Sequence, residues 1–198
     1  TIRENSPSTL SRACYWKNGT KYTLGESGKL SDASTIVVAG NDVYVTGAQH
    51  GPGGFAGYWK NGVPVNLNTS EYQAFVQSIF IIGNDVYLSG FISVNNRDKA
   101  AYWKNNVLVS LHDEALNSNS YANSIYVKDA VVYVAGREDN LDIGGIAPVY
   151  WLNGVKKYLT LPTGPGEEAS SIFVSGKDVY VTGSGNMIPV VWKNGDRT

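Results

Sequence analysis

The sequence predicts an all-β chain, a β-propeller of four-stranded antiparallel blades, on three observations. One phrase recurs along the chain: Tyr15-Trp16-Lys17-Asn18-Gly19, then Tyr58 to Gly62, Tyr102 to Asn106, Tyr150 to Gly154 and Val191 to Gly195. A second phrase runs in step with it, Ile36 to Gly47, Ile79 to Gly90, Ile125 to Gly136 and Ile172 to Gly183, each built around Val-Tyr-(Val/Leu)-x-Gly. No stretch sustains a helical period of 3.6. The tryptophans Trp16, Trp59, Trp103, Trp151 and Trp192 are spaced by 43, 44, 48 and 41 residues, a length that suits a four-stranded blade and exceeds a leucine-rich repeat.

Each repeat parses into four strands, A to D. Strand A is a nearly all-apolar run such as Ser78-Ile79-Phe80-Ile81-Ile82, read as buried on both faces. Gly83-Asn84-Asp85 turns it into strand B, Val86-Tyr87-Leu88-Ser89, where aromatic and branched residues suit a pleated surface. A variable polar loop, Phe91 to Lys99, leads to strand C at Ala100-Ala101-Tyr102-Trp103-Lys104. Asn-Gly, which accepts the positive φ angles of a type I′ turn, folds C back onto D, as at Asn61-Gly62 before Val63 to Leu67. Pro64 suits D as an outer edge, where a missing N–H costs little. The five tryptophans are expected to be buried anchors between adjacent blades, and Cys14 beside Tyr15-Trp16 is expected to be small and buried.

The chain reads as one domain, 1–198, with repeats at 35–77, 78–123 and 124–170 and partial repeats at 1–34 and 171–198. Thr1 to Ser11 resembles a B-to-C loop with no A or B before it, and the last phrase stops at the turn into D. Three arrangements stay open: a four-bladed ring closed by Thr20 to Leu24, a fragment of a longer parent, or two chains self-associating through incomplete blades.

The two phrases resemble those of a family of repeat proteins of bacterial cell envelopes, secreted or lipid-anchored and mostly uncharacterised. The resemblance covers nearly the whole chain and implies a propeller at a cell surface, extracellular or in the envelope. It implies no defined activity, because its motifs are scaffold motifs. Neither the Trp-Asp of WD repeats nor the Gly-Gly of kelch repeats is present, so no catalytic residue carries over.

Composition narrows the function further. Lys+Arg 16 against Asp+Glu 17 gives a net charge of -1, without the basic excess of a nucleic-acid binder. Charged residues at 17% with 22 Gly and 12% aromatics fit strands and tight turns. No apolar run reaches the eighteen or so residues of a membrane span, and Thr1 to Asn5 has no signal-peptide pattern. The single cysteine excludes a disulfide framework, and with two histidines the sequence points to no metal and no cofactor. The acidic segment Arg137 to Asp142 lacks the ligand spacing of a calcium loop, and His112-Asp113-Glu114 reads as a solvated loop.

Binding specificity on a repeated scaffold belongs in its variable loops. Just before strand A, equivalent positions carry Ser34, Gln77, Asn123 and Ser170, with Asp32, Phe75, Tyr121 and Glu168 two residues earlier. Neutral donors beside aromatic faces suit a sugar or a peptide. The leading expectation is therefore a non-enzymatic surface binding or adhesion module with a glycan or protein ligand. The alternatives are a carbohydrate hydrolase or lyase using loop carboxylates such as Asp113-Glu114 and Glu167-Glu168, or an inert structural scaffold.

Overall fold

A computed structural model describes residues 11–114, 118–140, 145–159, 167–185 and 188–198, the side chain of Asn140 excepted. The chain divides into two compact units, 1–68 and 69–198. The described residues are all-β, arranged as antiparallel sheets.

In the first unit β1 (Cys14–Lys17) pairs with β2 (Thr20–Thr23) as a two-stranded sheet. Next to it in sequence, β3 (Ser31–Ala39), β4 (Asp42–Gln49), β5 (Phe55–Lys60) and β6 (Val63–Asn66) form a four-stranded meander. The core of this unit gathers Ala13, Leu24, Val43, Val45, Phe55 and Trp59, with Tyr15 against them.

The second unit holds three such meanders: β7 (Gln73–Ile82) to β10 (Val107–Ser110) through β8 (Asp85–Val94) and β9 (Arg97–Lys104); β11 (Ser120–Lys128) to β14 (Val155–Tyr158) through β12 (Val131–Asn140) and β13 (Gly145–Leu152); and β15 (Glu168–Ser175) to β18 (Asp196–Arg197) through β16 (Asp178–Gly185) and β17 (Ile188–Lys193). The first strands of these sheets, β7, β11 and β15, stand side by side. Phe80, Tyr126 and Phe173 form an aromatic ladder across them, with ring centroids 4.9 and 5.1 Å apart. Ile172 donates its N–H to Ser124 Oγ at 3.3 Å, and Lys128 Nζ reaches the Gly176 carbonyl at 2.7 Å.

The recurrent tryptophans join neighbouring sheets within this unit. Trp151 donates Nε1 to the Leu111 carbonyl at 3.1 Å and packs with Tyr87, Ala100 and Leu111 of the preceding sheet. Trp192 repeats the arrangement against Tyr150, Leu159, Tyr126 and Tyr133. Trp59 and Trp103 are equally buried.

The turns follow from their residues. Asn61-Gly62, Asn105-Asn106, Asn153-Gly154 and Asn194-Gly195 all have positive φ at both positions, as a type I′ turn requires. Each asparagine also locks its sheet. Asn105 Oδ1 accepts the Val86 N–H at 2.9 Å, and Nδ2 donates to Asp85 Oδ1 at 2.8 Å. Lys104 then pairs with Asp85 at 3.3 Å and lies over the Tyr87 ring at 5.3 Å. The same clamp joins Asp42, Asn61, Lys60 and Tyr44, and again Asp178, Asn194, Lys193 and Tyr180. In the third meander Val131 and Leu152 replace the aspartate and the lysine together, so only the asparagine link to the Val132 N–H persists.

The structure corrects five expectations. The segment Phe91 to Lys99 is not a loop: β8 and β9 continue through it to a type I′ turn at Asn95-Asn96, which tolerates positive φ as Asn-Gly does. Strand A is not buried on both faces, because the face bearing Phe80 and Phe173 is only partly covered. Trp16 stands exposed, unlike the other four tryptophans, and Cys14 beside it is half-buried, because β1 has a partner on one edge alone among the described residues. Glu138 and Asp139 of the expected acidic loop lie in β12; Leu141 and Asp142 fall outside the described residues.

Candidate functional site

The site begins with a glycine. Gly47, Gly90, Gly136 and Gly183 end the Val-Tyr-(Val/Leu)-x-Gly phrase, and a Cβ on any of them would fall 1.8–2.1 Å from a first-strand carbonyl, that of Asp32, Phe75, Tyr121 or Glu168. The close approach permits a register shift, a β-bulge, in the first strand of each four-stranded sheet. In the second unit the bulged residues are Gln77, Asn123 and Ser170.

These three bulges open onto one cleft. It has a volume of about 480 Å³ and is lined by Gln77, Phe91, Tyr121, Asn123, Arg137, Glu168 and Ser170. Gln77 and Ser170 are exposed; the others are half-buried. One wall is aromatic: Phe75 and Phe91 stack at 4.6 Å between centroids, and the edge of Phe91 meets Tyr121 at 5.0 Å. Arg137 lies 4.6 Å from the Tyr121 ring centroid and pairs with Glu168 at 3.6 Å. Asn123 Nδ2 donates to the Ala169 carbonyl at 2.9 Å, tying β11 to β15 across the cleft floor.

Tyr121 donates its hydroxyl to Asp98 Oδ2 at 3.0 Å. Burial first, and the aspartate second, push its pKa up to about 12, so it stays a neutral phenol at any physiological pH. Asp98 is itself held by Asn119, whose Oδ1 accepts the Asp98 N–H at 3.1 Å while Nδ2 binds Asp139 Oδ2 at 3.0 Å. The ring is thus fixed before any ligand arrives.

Of the residues expected from sequence, Gln77, Tyr121, Asn123, Glu168 and Ser170 line this cleft, and Phe75 supports it through Phe91. They lie within β7, β11 and β15, not before them, since the first strands run several residues past the apolar core of the motif. Asp32 and Ser34 belong to the first unit. Asp32 bonds His50 Nε2 at 2.6 Å on an exposed surface, and Ser34 lines a separate groove. The sequence reading missed Phe91 and Arg137. A signal existed, because each follows the repeat glycine and pairs across the strands with Phe75 or Tyr121.

Elsewhere, Asp113 and Glu114 are exposed, and Glu114 pairs with Lys99 at 2.6 Å. Glu167 is fully buried and neither carboxylate oxygen has a hydrogen-bond partner among the described residues; Arg197 stands 3.9 Å away. In equivalent positions Ser31 and Ser120 accept the N–H of Ala13 and Ala100, at 3.0 and 2.9 Å. The residue corresponding to those alanines is here Pro148, which has no N–H to give. No group of three or more metal-ligating side chains occurs among the described residues, and no helix is long and apolar enough to cross a membrane. No family model and no curated protein matches the chain.

Proposed function

We propose that the chain is a β-propeller-type binding module of a cell surface or envelope, taking a glycan or protein ligand at the cleft of the second unit without catalysing a reaction. The observation that carries this reading is the convergence of three bulges at one repeat position on a single cleft. Bulges cluster beside functional sites because they re-aim a side chain. The meandering sheets, joined face to face by tryptophan, support the propeller arrangement.

The lining suits a neutral ligand. Arg137 and Glu168 cancel in charge while still offering directional donors and acceptors to hydroxyls or amides, and Phe91 and Tyr121 offer apolar ring surface. Glu168 is the one carboxylate in the cleft among the described residues, whereas glycoside hydrolysis ordinarily needs two. Calorimetry against neutral oligosaccharides, envelope polysaccharides and peptides tests the proposal. Binding to one class, weakened about tenfold by Tyr121→Ala or Arg137→Ala, is the expected result, the loss corresponding to about 1.4 kcal/mol. Variants that bind as well as the parent would remove the cleft from the function.

A further inference from the structure

The first unit carries an apolar strip whose repeat equivalents on β11 and β15 are covered. Ile36 and Val38 on β3 are 49% and 64% exposed. Their counterparts are Ile125 and Val127 at 4% and 3%, and Ile172 and Val174 at 5% and 4%. The covering groups are known for both counterparts. Phe80 and Tyr87 of the β7–β8 hairpin pack with Ile125 and Val127, and Tyr126 and Tyr133 of β11–β12 pack with Ile172. In the first unit β1 and β2 supply the equivalents of the third and fourth strands, with Ala13, Tyr15 and Leu24 in the core, but no hairpin joins β1 on its other edge among the described residues. Trp16, on that edge, is 64% exposed, and an open groove of about 320 Å³ runs along Cys14, Tyr15, Trp16, Ala33 and Ile36.

We infer that this edge and groove are a docking site for one β-hairpin of the repeat type, adding two strands to β1 by main-chain pairing. Its second strand lies antiparallel to β1. The register is set by β8 on β9, where Tyr87, Leu88, Ser89 and Gly90 face Lys104, Trp103, Tyr102 and Ala101. An incoming Tyr-Val/Leu-Ser/Thr-Gly therefore meets Lys17, Trp16, Tyr15 and Cys14. Strand alternation then puts its tyrosine on the side of Ile36 and Val38, which it covers, and its Val or Leu on the opposite face, flanking the Trp16 ring. It has to be an additional hairpin, because β3–β4, β7–β8, β11–β12 and β15–β16 are each paired to their own third strand.

Trp16 is its own reporter. The other four tryptophans are at most 1% exposed, so emission quenched by acrylamide belongs to Trp16, and Trp16→Phe should abolish the quenchable component. The probe is a synthetic peptide copying residues 73–94 with lysines at both ends. The expected result is a blue shift with at least a twofold fall in quenching, and at least tenfold weaker binding to Val38→Lys or Ile36→Asp. The same segment joined ahead of the chain by a Gly-Ser linker, which raises its local concentration to the mM range, should lower Trp16 quenching to the same extent with no peptide added. Unchanged quenching in the joined form overturns the inference. So does protection that appears with protein concentration alone and a doubled mass in light scattering, which would make a second copy the occupant.

Discussion

The asparagine of each third-to-fourth strand turn does two things at once. It takes a left-handed backbone conformation, φ 50° at Asn105, and its carboxamide bridges the Val86 N–H and Asp85. Alanine keeps neither the local tolerance of that φ nor the acceptor. Asn105→Ala should therefore cost about 1–3 kcal/mol, seen as a lower urea midpoint, whereas Asn106→Gly should be neutral or stabilising. The clamp also sets a pH dependence. Asn105 and Lys104 hold Asp85 below the usual carboxylate range, Asn61 and Lys60 do so for Asp42, and Lys193 and Asn194 for Asp178. Their stabilisation is present above the ordinary aspartate pKa of about 4 and is lost as pH falls through the lowered folded values. Melting temperatures measured from pH 6 to pH 2 should fall less steeply in Asp85→Asn than in the parent. The Asn-Gly turns were legible in the sequence because their chemistry is local. The Asp–Lys–Tyr partnership was not, since the aspartate and lysine lie about twenty residues apart and meet only once β8 and β9 are in register.

At the level of strands, the bulge links scaffold to site. Gly90→Ala would place a Cβ 1.8 Å from the Phe75 carbonyl, forcing β7 away from β8. The expected cost is about 1–3 kcal/mol together with loss of ligand binding, even though Gly90 is not among the cleft's lining residues. Periodicity found the candidate residues by counting back from the apolar core, yet it placed them in a loop. A bulge breaks the two-residue alternation, so polar Gln77 and Asn123 look like the end of a strand when they are its interruption. Arg137 was hidden for a related reason: its place in the site comes from cross-strand pairing with Tyr121, which no window along one strand can register. Glu167, opposite the proline, behaves inversely to the clamp aspartates. Burial raises its pKa, with Arg197 opposing, so its penalty grows as pH rises from the ordinary glutamate value through the raised folded one. Glu167→Gln should raise the melting temperature at pH 7 and leave it unchanged at pH 4; an equal gain at both would count against an ionising buried carboxyl.

Across the whole molecule, the repeat made the all-β class and the strand order within each sheet readable, because the same hydrogen-bonding problem is solved four times with nearly the same residues. The division into units 1–68 and 69–198 was not readable, since Trp59 and Trp103 sit in matching phrases and nothing in either phrase marks a boundary. All residues lining the proposed ligand cleft lie in the second unit, and the hairpin-accepting groove lies in the first. Substitutions at Ile36 or Val38 should accordingly leave calorimetric ligand binding unchanged, and Tyr121→Ala should leave Trp16 quenching unchanged.

Near-identical repeats carry a hazard during folding, because a third strand can zip onto the second strand of the wrong repeat and still satisfy most of its main chain. The joint replacement of Asp and Lys by Val131 and Leu152 makes one sheet's pairing unlike the rest. Were β13 to pair with β8, Leu152 would leave Asp85 without its cation, and were β9 to pair with β12, Lys104 would face Val131. Two apolar substitutions thus label one sheet of the four, while the other three share a clamp that would let their second and third strands be exchanged without loss of a charge pair.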